Sequence, residues 1–266
     1  MDPAAVKSVN TWHEFQQRWA GARNFLMAGE CVPFAFTVPS LAQVVAELRE
    51  DPDARITPGT RSDRLELTDV AAQFRAMPLT QALKASFGLA HFSLARFDAP
   101  GRFLHGFKAG VLDPWQAALR AAGFTFERCY PIVFISGRGC ATNYHMDLSH
   151  VLAWQIYGTK RFCGLQDPDR WAPRETRVNY KPAEFRRPAG LSEADALCFN
   201  MKPGDVLWNA LLTPHWVEAG DEVAMSINLS HGGIRFRGEL CPHERELEEH
   251  RAAHPELAPV GPKGSY

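Results

Sequence analysis

His145 and Asp147 stand two positions apart in TNYHMDLSHVLAWQIYGTK (142–160), and His215 follows His145 by seventy residues in LLTPHWVE. In an extended segment, residues i and i+2 point to the same face, so an imidazole and a carboxylate would project into one space. Two histidines and one carboxylate, with no further Cys or acid at ligand spacing, fit a facial metal site. Such a site leaves coordination positions open, and its usual occupant is non-haem Fe(II) that activates O2. The HxD tripeptide alone is a weak signal, because it is frequent by chance. Lys160 strengthens it. That lysine lies in an apolar, β-rich run, where a bare ammonium is costly to bury and needs an anion. A bound dicarboxylate would supply one.

The surrounding elements must bring these residues together. FTFERCYPIVFIS (124–136) is apolar and β-rich, and SGRG after it is a turn. VLAWQIY and KRFCGL, joined by Gly158-Thr159, read as a hairpin. PGD at 203–205 is a turn, DVLWNAL a strand, and VAMSINLSHGG (223–233) alternates apolar and small polar residues. Short strands separated by turns predict an antiparallel barrel or double-sheet jelly roll. The fold class expected is mainly β with helices (α+β), in three parts: a mainly helical segment 1–123 packed on the barrel, a catalytic core 124–240, and a C-terminal helix and tail 241–266. No internal repeat is visible.

Within the first part, Trp12, Phe15, Trp19 and Phe25 recur at near-helical spacing and predict one apolar helix face. CVPFAFTV (31–38) reads as a short strand with a Pro, and DRLEL (63–67) as another. Ser40 caps the helix SLAQVVAELRED, with Gln43 placed as in a capping box. Asp113, Pro114 and Gly123 bracket a helix as N-cap, first turn and stop. The polar stretch 167–190 reads as a long loop of the kind that often covers a site. Its Arg170, Arg174, Arg177, Arg186 and Arg187 could meet an anionic group or simply be solvated. PHERELEEHRAA (242–253) is a charged C-terminal helix that could pair in a homodimer or cover the barrel.

Composition narrows the classes. Lys plus Arg is 29 and Asp plus Glu is 30, so there is no basic excess of the kind nucleic-acid binders carry. No apolar run approaches the roughly 18 residues of a membrane span. Six cysteines are scattered without a CxxC pair. The expectation is a cytoplasmic protein with reduced thiols and no membrane or nucleic-acid partner.

The stretch TNYHMDLSHVLAWQIYGTKRF resembles the JmjC-type, cupin-fold 2-oxoglutarate oxygenases, above all the branch with the hypoxia-pathway asparaginyl hydroxylase. In that branch a Thr stands three residues before the first ligand His and a Lys fifteen after it, as Thr142 and Lys160 do here. The KPGD turn and the Asn of SINLS also look like the family. The likeness covers about 125–232. It implies a double-stranded β-helix (jelly-roll, cupin) core and an Fe(II) site made by His145, Asp147 and His215. It further implies that Thr142 and Lys160 hold the far carboxylate of 2-oxoglutarate. Asn228, or Ser226, would sit at the metal-proximal end, with Tyr130 as a candidate phenol in the same pocket. One departure is LSHV, where the asparaginyl hydroxylase carries an amide shortly after HxD. His150 could take over that contact or be a surface residue. The implied reaction couples decarboxylation of 2-oxoglutarate to succinate with O2-dependent hydroxylation of an unactivated C–H. Asp147 speaks against a halogenase, which opens that ligand position to halide. The expected substrate is an amino acid or small metabolite. The alternatives are a protein or peptide side-chain hydroxylase or demethylase, a metal cupin acting without cosubstrate, and a non-catalytic metal-binding cupin module.

Overall fold

The structure, a computed structural model, describes residues 8–59, 67–182 and 184–257. The strands in chain order are β1 (Ser8–Val9), β2 (Phe25–Met27), β3 (Arg55–Pro58), β4 (Phe87–His91), β5 (Phe124–Thr125), β6 (Arg128–Ser136), β7 (Ala141–His145) and β8 (His150–Tyr157). They continue with β9 (Lys160–Leu165), β10 (Ala196–Met201), β11 (Val206–Asn209), β12 (His215–Ala219), β13 (Ala224–Gly232), β14 (Arg235–Phe236) and β15 (Glu239–Leu240). The larger sheet has the order β1-β2-β11-β8-β13-β6-β4-β3, and the smaller one β10-β9-β12-β7. A third, short sheet has the order β15-β14-β5. This is the double-stranded β-helix expected, mainly β with helices attached.

Alternation decides what each face of the larger sheet does. Val133, Ile135, Leu152, Trp208, Met225, Ile227 and Leu229 point outward into the main hydrophobic core. There they meet the helices Trp12–Arg18, Leu41–Arg49 and Asp113–Ala121, through residues such as Phe15, Val44 and Trp115. Phe15 packs edge-on against Phe25, Phe124 and Trp208. Burying such aromatics is worth about 1.5–3 kcal/mol each. The apolar core therefore sits outside the barrel, and the facing surfaces of the two sheets remain free to line a cavity.

Several expectations need correction. Residues 150–165 are not a hairpin: β8 pairs with β11 and β13, whereas β9 pairs with β10 and β12. The chain crosses between sheets at Gly158-Thr159. Gly158 has φ +60°, and a Cβ there would lie 2.5 Å from the Val223 carbonyl oxygen, so the crossing needs glycine. The amino-terminal part is more than a covering layer, because β2, β3 and β4 extend the larger sheet. Phe25 lies on β2 rather than on the first helix. Residues 31–38 form no strand: a 3-10 turn at Gly29–Cys31 is followed by unpaired chain in which Pro33 lacks a donor. DRLEL falls almost wholly outside the described residues.

Ser40 Oγ accepts the Gln43 N–H, as a cap should, but the Gln43 amide bonds Glu47 instead of reaching back. Asp113 is not an N-cap. A π-helical turn, Lys108–Leu112, runs straight into its helix, and Asp113 pairs with Lys108 Nζ at 2.6 Å. The 167–190 stretch contains two short helices, Pro168–Trp171 and Arg174–Val178. The C-terminal helix, Pro242–Ala253, buries Leu247 against Leu211 and Leu212. The cysteines are not all reduced: Cys163 and Cys198, directly opposite on β9 and β10, form a disulfide. Among the described residues no helix is long and apolar enough to cross a membrane.

Candidate metal centre

β7 and β12 are antiparallel neighbours with His145 opposite His215. Their imidazole centroids lie 4.2 Å apart. Asp147, just past the end of β7, turns its carboxylate toward both rings. His145 Nε2 is 3.9 Å from Oδ1, and His215 Nε2 is 3.7 Å from Oδ2. The three ligand-type atoms all lie within 4.8 Å of one another.

Hydrogen bonds set the tautomers. His145 Nδ1 lies 2.6 Å from the Asn143 carbonyl oxygen, and His215 Nδ1 lies 2.8 Å from that of Thr213. A carbonyl only accepts, so both Nδ1 atoms carry the proton and both Nε2 lone pairs face Asp147. This is the arrangement that outer partners impose on metal-ligating imidazoles. His215 is only 2% exposed, and its ring stacks on Phe162. Burial, with His145 nearby, pushes it down to about 4, so it is neutral and ready to coordinate. Asn209 Nδ2 donates to Asp147 Oδ2 at 2.8 Å and fixes the carboxylate. Asn209→Ala is expected to weaken Fe(II) or Co(II) affinity about 10- to 100-fold, read by competition with a chromophoric chelator.

The cluster opens into a cavity of about 500 Å³ between the sheets. Thr142, Tyr130, Lys160, Asn228 and Ser226 all line it. Lys160 is 6% exposed, and among the described residues no carboxylate lies within ion-pair distance of it. Its Nζ donates only to the Phe134 carbonyl and Ser226 Oγ, at 3.3 and 3.2 Å. Burial pushes it down to about 7. Ser226 therefore belongs to the lysine end of the cavity. Asn228, two residues further along the same face, has a buried Oδ1 with no partner, and so does Asn209. The uncompensated ammonium marks a cavity built for an anionic guest, and the orphaned amide oxygens of Asn209 and Asn228 mark a guest or water that donates hydrogen bonds. Together with the N2O donor set, they fit a divalent ion and a dicarboxylate.

Other residues singled out by their sequence context lie elsewhere in space. His150 is neither on the surface nor in the cavity. It is on β8, where Val151, Ala153 and Gln155 take the cavity face, so His150 points into the outer core and stacks on Trp208. With Cys241 and Glu244 it forms a second group whose ligand-type atoms lie within 4.8 Å. Its Nδ1 accepts the Leu211 N–H, so in the neutral ring Nε2 keeps the proton and offers no lone pair. Burial pushes His150 down to about 3 and Cys241 up to about 11. That group anchors the C-terminal helix, and the neutral His150 ring has no lone pair to offer a metal there.

None of the five arginines of 167–190 lines the cavity. Arg174 pairs with Glu246 and Arg177 with Asp169, while Arg187 stacks on Trp216. The stretch does reach the site through Tyr180, whose hydroxyl accepts the Met146 N–H, and Pro182. Asn209, Tyr180, Arg128 and Arg251 were not legible as site residues. Only Asn209 carried a signal, the alternation of its strand after the PGD turn.

No family model and no curated protein sequence matches the chain. Solved structures do. A structure of the ribosomal oxygenase YcfD from Escherichia coli superposes over 96% of this chain and 61% of its own, with TM-score 0.51 and 15% identity. A second YcfD structure gives TM-score 0.54 at 14% identity, over 95% and 68% of the two chains. A third, in complex with cobalt and 2-oxoglutarate, gives TM-score 0.51 at 16% identity. The chain thus spans three fifths to two thirds of the length of these structures and shares their fold.

Proposed function

We propose that this chain is an Fe(II)- and 2-oxoglutarate-dependent oxygenase that hydroxylates an unactivated C–H of an amino acid or small metabolite. The observation that carries the reading is the convergence, in one cavity, of two Nε2 lone pairs and a carboxylate with a buried lysine that lacks a counter-ion. The solved neighbour bound to cobalt and 2-oxoglutarate supports it at the level of the fold. The likeness to the asparaginyl-hydroxylase branch rests on Thr142 and Lys160 alone.

His145, Asp147 and His215 would hold the metal through one face and leave the rest of its coordination to small molecules. Lys160, with Thr142 two strands away on the same sheet, would hold the far carboxylate of 2-oxoglutarate. Asn228 and Tyr130 offer polar contacts further along. Fe(II), with 2-oxoglutarate and O2, supplies the oxidation: one oxygen atom goes to succinate as CO2 leaves, and the other to the substrate C–H. The chain orients the partners and excludes water, through Phe162, Ile132 and Val151 on the cavity walls.

Anaerobic titration of the iron-loaded protein with 2-oxoglutarate tests the cosubstrate. A metal-to-ligand charge-transfer band is expected, and its absence would abandon the reading in favour of a cosubstrate-free metal cupin or a binding module. A screen for substrate-stimulated succinate formation, with mass spectrometry for one added oxygen, tests the substrate class. Peptides belong in that screen, because the fold neighbours are named ribosomal oxygenases.

Lys160 also makes binding pH-dependent. In the free protein its ammonium is held down to about 7 by burial, and an anion beside it raises that value. Affinity for 2-oxoglutarate is therefore full below about 7. It falls as pH rises from there toward the bound-state value, by up to about tenfold per pH unit, because binding must take up a proton. Calorimetry above pH 7 in buffers of different ionisation enthalpy should show net proton uptake.

A further inference from the structure

The cavity has a second cationic end. Arg128, at the start of β6, and Arg251, on the C-terminal helix, both line it. Arg128 sits opposite Gly232 in the β6–β13 ladder, and Phe134, beside Lys160, sits opposite Ser226. The two ends are thus six residues apart along one strand face, roughly 20 Å at about 3.3 Å per residue. A five-carbon dicarboxylate held at Lys160 does not span that distance, so the arginines face a different guest.

The guanidinium of Arg128 is positioned with care. It crowds the backbone of Gly232, where a Cβ would come within 2.3 Å of its Cζ. Its Nε is buried and has no hydrogen-bond partner. Among the described residues, neither arginine has a carboxylate within ion-pair distance. Arg251 feels burial and then Arg128 as its largest unfavourable influences, with Glu244 and Glu248 offsetting them in part. Glu244 commits one oxygen to the Gly233 N–H, at 2.6 Å, and its other oxygen has no hydrogen-bond partner among the described residues. Two half-buried guanidiniums that repel each other, with Glu244 near both but no described carboxylate at ion-pair distance from either, are stabilised further by a bound anion, which the planar fork grips through two parallel hydrogen bonds. Tyr130, Ser149 and Ser230 line the cavity between that end and its middle.

We propose that Arg128 and Arg251 form an anion-binding subsite, and that the substrate carries a carboxylate or phosphate which docks there while its reacting carbon faces the His145–Asp147–His215 cluster. Calling that anion a substrate group rests on the oxygenase reading; the subsite itself does not.

The test uses metal-free protein and three matched probes, benzoate, phenyl phosphate and benzamide, followed by ligand-observed NMR. Benzoate or phenyl phosphate is expected to bind saturably and benzamide at least about tenfold more weakly. Measured in a Lys160→Met background, which removes the other cationic end, Arg128→Met and Arg251→Met should each weaken the preferred anion about tenfold, while Arg186→Met, outside the cavity, leaves it unchanged. Gly232→Ala, which displaces the Arg128 head without removing it, should reproduce the Arg128→Met loss, and circular dichroism confirms that each variant is folded. A preference for benzoate assigns an acid substrate, and a preference for phenyl phosphate a phosphoester. Equal binding of benzamide, no anion binding in the Lys160→Met background, or anion binding there kept in both arginine variants, overturns the proposal. Because the probes are read without metal, this result is separable from the charge-transfer experiment, which alone decides the oxygenase reading.

Discussion

His215→Ala is expected to lower Fe(II) or Co(II) affinity by more than about 100-fold, beyond what loss of an outer partner such as Asn209 costs. His215 is the most committed of the three donors. It is buried, stacked on Phe162, and held in one tautomer by the Thr213 carbonyl. Its Nε2 has no destination in the fold other than the space in front of Asp147. Among the described residues, no other Cys, His or acid belongs to this cluster, so no donor can step in. Competition against a chromophoric chelator reads the loss. A thermal melt of the metal-free variant separates loss of a ligand from loss of the fold. Retention of wild-type affinity would sink the metal centre altogether.

The second large effect is at Lys160. Lys160→Met keeps the length and apolar stem of the side chain and removes the charge. Deleting one partner of a buried ion pair typically costs about 3–5 kcal/mol, so 2-oxoglutarate affinity is expected to fall by roughly 10²- to 4×10³-fold. Metal affinity should stay within about threefold of wild type, because Lys160 lies on β9 beside Ser226 and Phe134 and away from the three donors. The metal-free stability should rise or hold, since the variant no longer buries an ammonium without a counter-ion. A variant with unchanged 2-oxoglutarate binding would show that the lysine serves packing alone. A parallel drop in metal affinity would point to a collapsed cavity instead.

The local patterns were readable because they depend on neighbours in the chain. The alternation of 223–233 is a backbone property, the apolar β-rich run 124–136 is a matter of local composition, and the PGD turn, with Gly204 at φ +96°, and the Ser40 cap depend on neighbouring residues. His145, Asp147, Lys160 and His215 could be singled out because their chemistry is unusual in strands. Elsewhere local spacing misled. Phe25 kept helical spacing with Trp19 yet sits on a strand, because pairing with β11 outweighed propensity. The Gly158-Thr159 turn had the look of a hairpin. Whether two strands joined by a tight turn pair or part is set by the partners waiting on either side, here β13 and β12.

The chain alone determined the type of chemistry available: two imidazoles, one carboxylate and one lysine, in extended segments, within a jelly-roll pattern. It could not say on which face His150 falls, that Cys163 and Cys198 meet, or that Arg128 and Arg251 come to the same cavity. Those are relations between residues 35 to 123 positions apart, created only when strands stack and a terminal helix folds back. The metal triad was legible because its ligands are chemically rare and two of them are sequence neighbours. The far end of the cavity was not, because arginines are common on surfaces, and only burial without a partner, a property of the folded state, distinguishes these two.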